Sequence, residues 1–188
     1  FLFSIAHAVE IEEHKIVVLV NDKMISSYDI SQRVKMNAII NSIDLSKVDE
    51  KQYVNTIIEE LISEKLKKEK TLEYSITLSE EEYINAENQF YKNSNLSKSD
   101  VETTFQINKL SYSVLENFIR SEMSWQKLIS SLYYRLTSVT DSEIKEIRNK
   151  NSNITERQAE NIIVQRKLDL KSNKLLRDIY NEATIEYK

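Results

Sequence analysis

The side chains of this chain that could do chemistry are few, and their spacing does not serve it. There are two histidines, His7 and His14. His14 sits in the polar run Glu12-Glu13-His14-Lys15, and neither histidine has the defined partners that a nucleophile, its base and an orienting group require. Cysteine is absent, which removes thiolate nucleophiles, disulfides and zinc–thiolate sites. Glu80-Glu81-Glu82 invites a cation-binding reading, but it lacks the alternating oxygen ligands of a calcium loop. Acids in a first helical turn are expected there for the helix dipole alone. With no glycine anywhere, no phosphate loop can form, so ATP binding through a Walker motif is excluded. Each catalytic template fails at its first required residue. The chain therefore reads as a non-enzyme with no cofactor and no metal. A net charge of −4 also argues against a nucleic-acid partner.

What remains is aromatic and aliphatic surface. Phe90 and Tyr91 close one helix-like segment, Tyr112 and Met123 lie on a second stripe of another, and Tyr133 and Tyr134 are adjacent near its end. Adjacent residues cannot share a helix face, so one of Tyr133 and Tyr134 must point away from whatever the other covers. Tyrosine offers a rigid apolar body with a polar tip, which suits loose recognition of many sequences. Phe90, Tyr91, Tyr112, Met123, Tyr133 and Tyr134 are thus the candidate contact residues.

Those side chains must be positioned by helices. The chain has neither glycine nor proline, so its turns rest on Asn, Asp and Ser. One punctuation mark recurs: Ser26…Asp29, Ser79…Glu82, Ser97…Asp100, Thr140…Glu143 and Thr155…Gln158, each with apolar neighbours. These read as capping boxes with hydrophobic staples. Ser46…Asp49 and Ser111…Leu115 are partial versions. The seven starts predict helices over 27–42, 47–71, 80–93, 98–109, 112–136, 141–149 and 156–181. Glu59, Glu60 and Glu64 followed by Lys65, Lys67, Lys68 and Lys70 read as a helix with i,i+4 pairing, Glu64 with Lys68 among them. Ile16–Val20 is β-branched and short, and reads as a strand buried on both faces. Ala183–Tyr187 alternates and reads as a closing strand paired with it. The fold class expected is mainly α, about seven helices, with a small sheet made by the two ends of the chain.

The segment KIVVLVNDKMISSYDISQRV, Lys15 to Val34, with "VND" before the turn and "ISSYDISQRV" after it, resembles the start of the mature SurA-type periplasmic chaperones, the parvulin-associated foldases. The similarity continues through Ile57–Lys70, Leu78–Tyr83 and Ala159–Tyr187. In that family, parvulin prolyl-isomerase modules are inserted between the amino-terminal helices and the carboxy-terminal helix and strand. The polar stretch Asn149-Lys150-Asn151-Ser152-Asn153 marks the matching place here, and a chain without glycine cannot hold such a module. The expected organisation is a signal-peptide remnant over 1–8, a SurA-like domain over 9–148, a seam over 149–154, and a helix and strand over 155–188 that complete the same domain. Phe1 to Ile5 followed by Ala6-His7-Ala8 looks like the end of a signal peptide, cleaved after Ala8.

The resemblance implies an ATP-independent chaperone of the periplasm that binds unfolded outer-membrane proteins or aromatic-rich peptides in an apolar helical groove. It implies no stable membrane insertion, and a homodimer is compatible with it. A tethering module with one fixed partner, and a prolyl isomerase whose catalytic module is missing, are the alternative readings.

Overall fold

The computed structural model describes residues 15–188. The signal-peptide reading, with cleavage after Ala8, and both histidines fall outside the described residues. Among the described residues, seven α-helices and three strands follow in chain order. They are β1 (Ile16–Val20), β2 (Lys23–Ser26), α1 (Ser27–Ile40), α2 (Glu50–Glu73), α3 (Glu80–Ser94), α4 (Lys98–Ile107), α5 (Tyr112–Tyr133), α6 (Asp141–Lys150), α7 (Glu156–Glu182) and β3 (Ile185–Tyr187). The expected mainly α fold, closed by strands from both ends, is what forms.

The sheet is antiparallel with order β2-β1-β3. Val18 stands opposite Tyr187, Leu19 opposite Glu186 and Val20 opposite Ile185. On the other side β1 meets β2, reached through the two-residue turn Asn21-Asp22. β1 is not buried on both faces: Val18 and Val20 are inside, whereas Ile16 is exposed and Val17 and Leu19 are half-buried. The reason is the sheet's size. Helices cover one face only, so β1 behaves as a half-buried strand despite its continuous apolar sequence.

Local capping explains the helix starts. Ser26, Ser79, Thr140 and Thr155 form complete capping boxes. Ser97 does not: its hydroxyl bonds Ser99 instead and makes no cap bond. The start at Ser46 also moves, because Leu45–Lys47 forms a 3-10 turn and Asp49 caps α2 by accepting from the Gln52 amide. α5 ends at Tyr133, and 134–136 tighten into a 3-10 turn.

The helix ends show how a chain without glycine turns. Ser42, Ser75, Asn95 and Lys109 lie at φ of 53°, 54°, 55° and 53° after α1, α2, α3 and α4. The next residue in each case donates its amide back five positions: Ile43 to Ala38, Ile76 to Thr71, Leu96 to Tyr91 and Leu110 to Phe105. That is the Schellman closure, with the customary apolar residue just after it, built four times with β-carbon-bearing residues. Asn and Ser tolerate this geometry through local hydrogen bonding, as expected. Lysine has no such compensation.

Four apolar clusters fill the interior. Val18, Val20, Ile25, Ile30, Val34, Ile57 and Ile62 join the sheet to α1 and α2. Met36, Tyr83, Tyr91, Phe105 and Leu115 join α1 to α3, α4 and α5. Trp125, Leu128 and Ile129 pack with Leu168 between α5 and α7, and Ile144 packs with Ala159 and Ile163 between α6 and α7. At 27 residues α7 is about 40 Å long at 1.5 Å per residue. It runs from the α6 hairpin past α5 to the sheet. Relieving the left-handed lysine should show directly: Lys109→Gly is expected to stabilise the protein by about 0.5–1 kcal/mol, read as a raised midpoint in urea unfolding with an unchanged slope.

Candidate binding cleft

α1, α2, α5 and α7 surround a cleft of about 510 Å³. Its polar floor comes from residues placed on otherwise apolar helix faces. Arg33 follows Ile30 by three positions on the buried stripe of α1 and is only 3% exposed. Its guanidinium bonds the Glu64 carboxylate of α2 and lies 5.2 Å above the Phe118 ring of α5. A charge so deep needs that pairing, and the ring face adds a second attraction. The Arg33 Nε is buried with no hydrogen-bond partner among the described residues. Along the same helices Asn37 donates to Glu60 at 2.9 Å, and Lys67 donates to Glu122 of α5 at 2.6 Å. Phe118 and Leu176 supply the apolar wall. The cleft is therefore amphipathic, with charges already paired and two apolar surfaces between them. The intrahelical pairing of Glu64 with Lys68 does not form, since Arg33 takes that carboxylate.

A second polar centre lies inside the α3–α4–α5 cluster. Glu87, 5% exposed, accepts from Tyr83 at 2.8 Å, Tyr112 at 2.6 Å and Lys98 at 2.6 Å. Burial pushes the Glu87 carboxyl up, but the bonds from Lys98, Tyr112 and Tyr83 outweigh it and hold the group below its ordinary range. Burial and the Glu87 carboxylate in turn raise both Tyr83 and Tyr112. A third centre is Glu59 of α2, which accepts from Tyr180 and Tyr187, each at 2.9 Å. Burial, then this carboxylate, raise Tyr180 to about 12.

The structure brings four of the six candidate contact residues together. Phe90, Tyr91, Tyr112 and Met123 all belong to the α3–α4–α5 cluster. Phe90 and Tyr91 meet edge to face at 5.5 Å, and the Tyr91 and Tyr112 hydroxyls lie 2.8 Å apart. Tyr91 is 8% exposed, so it holds the core together and offers little to a ligand. Tyr133 and Tyr134 lie elsewhere. Tyr133 is half-buried against the α5–α7 cluster with Lys171 above its ring at 5.9 Å. Tyr134 points away, 61% exposed, beside Leu136 at 78%. The opposed directions of this pair are as expected.

Sequence reasoning missed Arg33, Glu64, Lys67, Glu122 and Glu87. A signal was present for two of them: Arg33 and Glu87 are charges at helical spacing within apolar stripes, Glu87 four residues from both Tyr83 and Tyr91. Among the described residues there is no group of three His, Cys, Asp or Glu side chains able to hold a metal. No described helix is long and apolar enough to cross a membrane.

The Glu87 centre predicts an acid-sensitive step. The folded carboxyl lies below its ordinary 4.5, so its contribution is complete above pH 4.5 and is lost as pH falls through the folded value. Glu87→Gln should cost about 1.5–3 kcal/mol at pH 7 and flatten the fall of Tm with pH below 4.5, as read by circular dichroism melts.

A family model described as the SurA-like N-terminal domain matches residues 1–129. No curated protein matches the chain. Among solved structures, one from the pair described as the virulence factor PEB4 and the periplasmic protein Cj1289, two structurally related SurA-like chaperones in the human pathogen Campylobacter jejuni, is similar at 18% identity with a TM-score of 0.40. That alignment covers 74% of this chain and 51% of the other, so this chain spans about half of its length.

Proposed function

The chain belongs to the SurA-like N-terminal domain family, and on that premise we propose that it is an ATP-independent chaperone of the periplasm that holds unfolded outer-membrane proteins. The family match over residues 1–129 carries the reading. The cleft supports it. Phe118 and Leu176 provide apolar wall, while the charges around them are already engaged in the Arg33–Glu64 and Lys67–Glu122 pairs. An unfolded barrel strand alternates apolar and polar side chains, and an amphipathic wall suits both sets. The exposed Tyr134 and Leu136 extend the contact surface at the end of α5, with half-buried Phe90, Met123 and Tyr133 as secondary contacts. Binding of this kind is weak and needs no nucleotide for release. Affinities near micromolar, about −8 kcal/mol, fit a client that must be handed on. No catalytic step is assigned to the chain. The seam proposed over 149–154, the end of α6 and the loop leading to α7, is where a relative's parvulin module would be expected.

The reading predicts that the protein suppresses light scattering by a barrel protein diluted from urea at near-stoichiometric ratio, with no change on adding ATP. The double variant Tyr134→Ser, Leu136→Ser removes exposed apolar surface only, so it should need several-fold more protein for equal suppression at an unchanged Tm. Unchanged scattering at several-fold excess of the unaltered protein would sink the proposal.

A further inference from the structure

The three-stranded sheet has two edges, and among the described residues the β3 edge offers the longer free backbone. At the β2 edge the Ser26 amide is taken by the Asp29 carboxylate at 2.8 Å and the chain turns at once into α1, which leaves Met24, opposite Leu19, as the one residue there with outward backbone groups. At the β3 edge no such device is present among the described residues. Asn21 donates its amide to the Thr184 carbonyl at 2.7 Å, and Lys188 donates to the Val17 carbonyl at 2.9 Å. With Leu19 opposite Glu186, the ladder directs the backbone groups of 184, 186 and 188 toward β1. The N–H and C=O groups of Ile185 and Tyr187 therefore point outward, two donors and two acceptors at strand spacing.

We infer that the open β3 edge is a docking site for an extended client segment, which adds antiparallel or parallel to Ile185–Tyr187 as a fourth strand. This rests on the chaperone reading and names how its client is held. The occupant follows from the chemistry of the edge, because alternating donors and acceptors at this spacing are matched by another extended backbone and not by a helix or a small anion. The side chains narrow it further. Ile185 and Tyr187 share one face, the face toward α2, where Tyr187 reaches Glu59. Glu186 lies on the other face and pairs with Lys188 at 2.7 Å. A strand with apolar or aromatic residues on alternate positions puts them beside Ile185 and Tyr187, and its polar residues beside Glu186 and Lys188. A hollow of about 440 Å³ on α2 ends at Glu59, and Glu59 also borders the larger cleft. The edge thus continues into the cleft along α2, giving one client two successive contacts.

The test uses the whole protein and a fluorescent ten-residue peptide alternating tyrosine or valine with threonine or lysine, with binding read by anisotropy. Tyr187→Pro removes an outward amide without touching the β1 ladder, and edge strands tolerate proline at such a position. It should weaken binding about fivefold to tenfold, the value of one backbone hydrogen bond. Tyr187→Phe, which loses the Glu59 bond but keeps the amide, should bind within about twofold. Methylating peptide nitrogens at alternate positions should abolish binding in one register set and spare the other, and bound peptide should slow amide exchange at Ile185 and Tyr187. Binding that is equal in Tyr187→Pro and indifferent to which nitrogens are methylated overturns the edge while leaving the chaperone reading intact. A peptide that fails to bind the unaltered protein overturns both.

Discussion

Everything in this molecule turns on the antiparallel contact between β1 and β3, which joins residues 165 positions apart at Val20 and Ile185. Closing a loop of that length costs on the order of 4–5 kcal/mol in chain entropy. Three paired residues cannot offset this alone, since each backbone bond contributes only about 1 kcal/mol net. The closure is therefore carried by α7. Leu168 packs with Trp125 and Leu128 of α5, and the Trp125 indole donates to Ser172 at 2.8 Å. Ile179, Tyr180 and Ala183 then reach the cluster beneath the sheet, and Glu59 fastens Tyr180 and Tyr187 to α2. Once α7 is docked, β3 is delivered to β1 as a nearly local event.

This dependence explains the arrangement of the clusters. Helices α3 and α4 form a lobe with α5 that is centred on Glu87 and its three donors. The sheet, α1 and α2 form another. α5 belongs to both neighbourhoods, packing on α2 and α3 as well as α7. The cleft lies where these lobes meet, and its ion pairs cross between elements: Arg33 of α1 with Glu64 of α2, and Lys67 of α2 with Glu122 of α5. Buried or half-buried pairs of this kind add little net stability, but a misplaced helix would strand a charge. Their contribution is to the cleft's geometry.

The features legible in the sequence were those settled by local chemistry. Capping depends on residues three apart, so Ser26, Ser79, Thr140 and Thr155 could be read directly, along with the four helices they open. Ser97 shows the limit: the same pattern makes no cap bond when a neighbouring Ser99 hydroxyl competes. The pairing of the end strands was legible from the short β-branched run Ile16–Val20 and the alternation of Ala183–Tyr187. The half-exposure of β1 was not, because it depends on how many helices reach the sheet. The cleft was hidden for a similar reason. Glu64 has Lys68 one turn away and pairs instead with an arginine thirty-one positions earlier, a choice that only tertiary packing makes. The aromatic residues were legible as a group, yet whether each one faces inward or outward depended on neighbours from other helices. Tyr91 and Tyr134 fell on opposite sides of that division.

On the proposed chaperone reading, the same physics bears on how a client could be held without being trapped. A groove lined only with apolar residues would release a bound strand slowly, since each buried side chain contributes about 1.5–3 kcal/mol. Here the apolar wall is limited to Phe118 and Leu176 between paired charges, and the backbone ladder at β3 offers two outward residues. Because both border Glu59 on α2, they can act on one segment in succession, and the second contact forms at the high effective concentration set by the first. Losing either contact returns the client to weak binding, so release requires no external work. The shortness of β3 belongs to the same balance: a longer free edge would hold an extended segment more tightly and would also invite edge-to-edge aggregation of the protein itself.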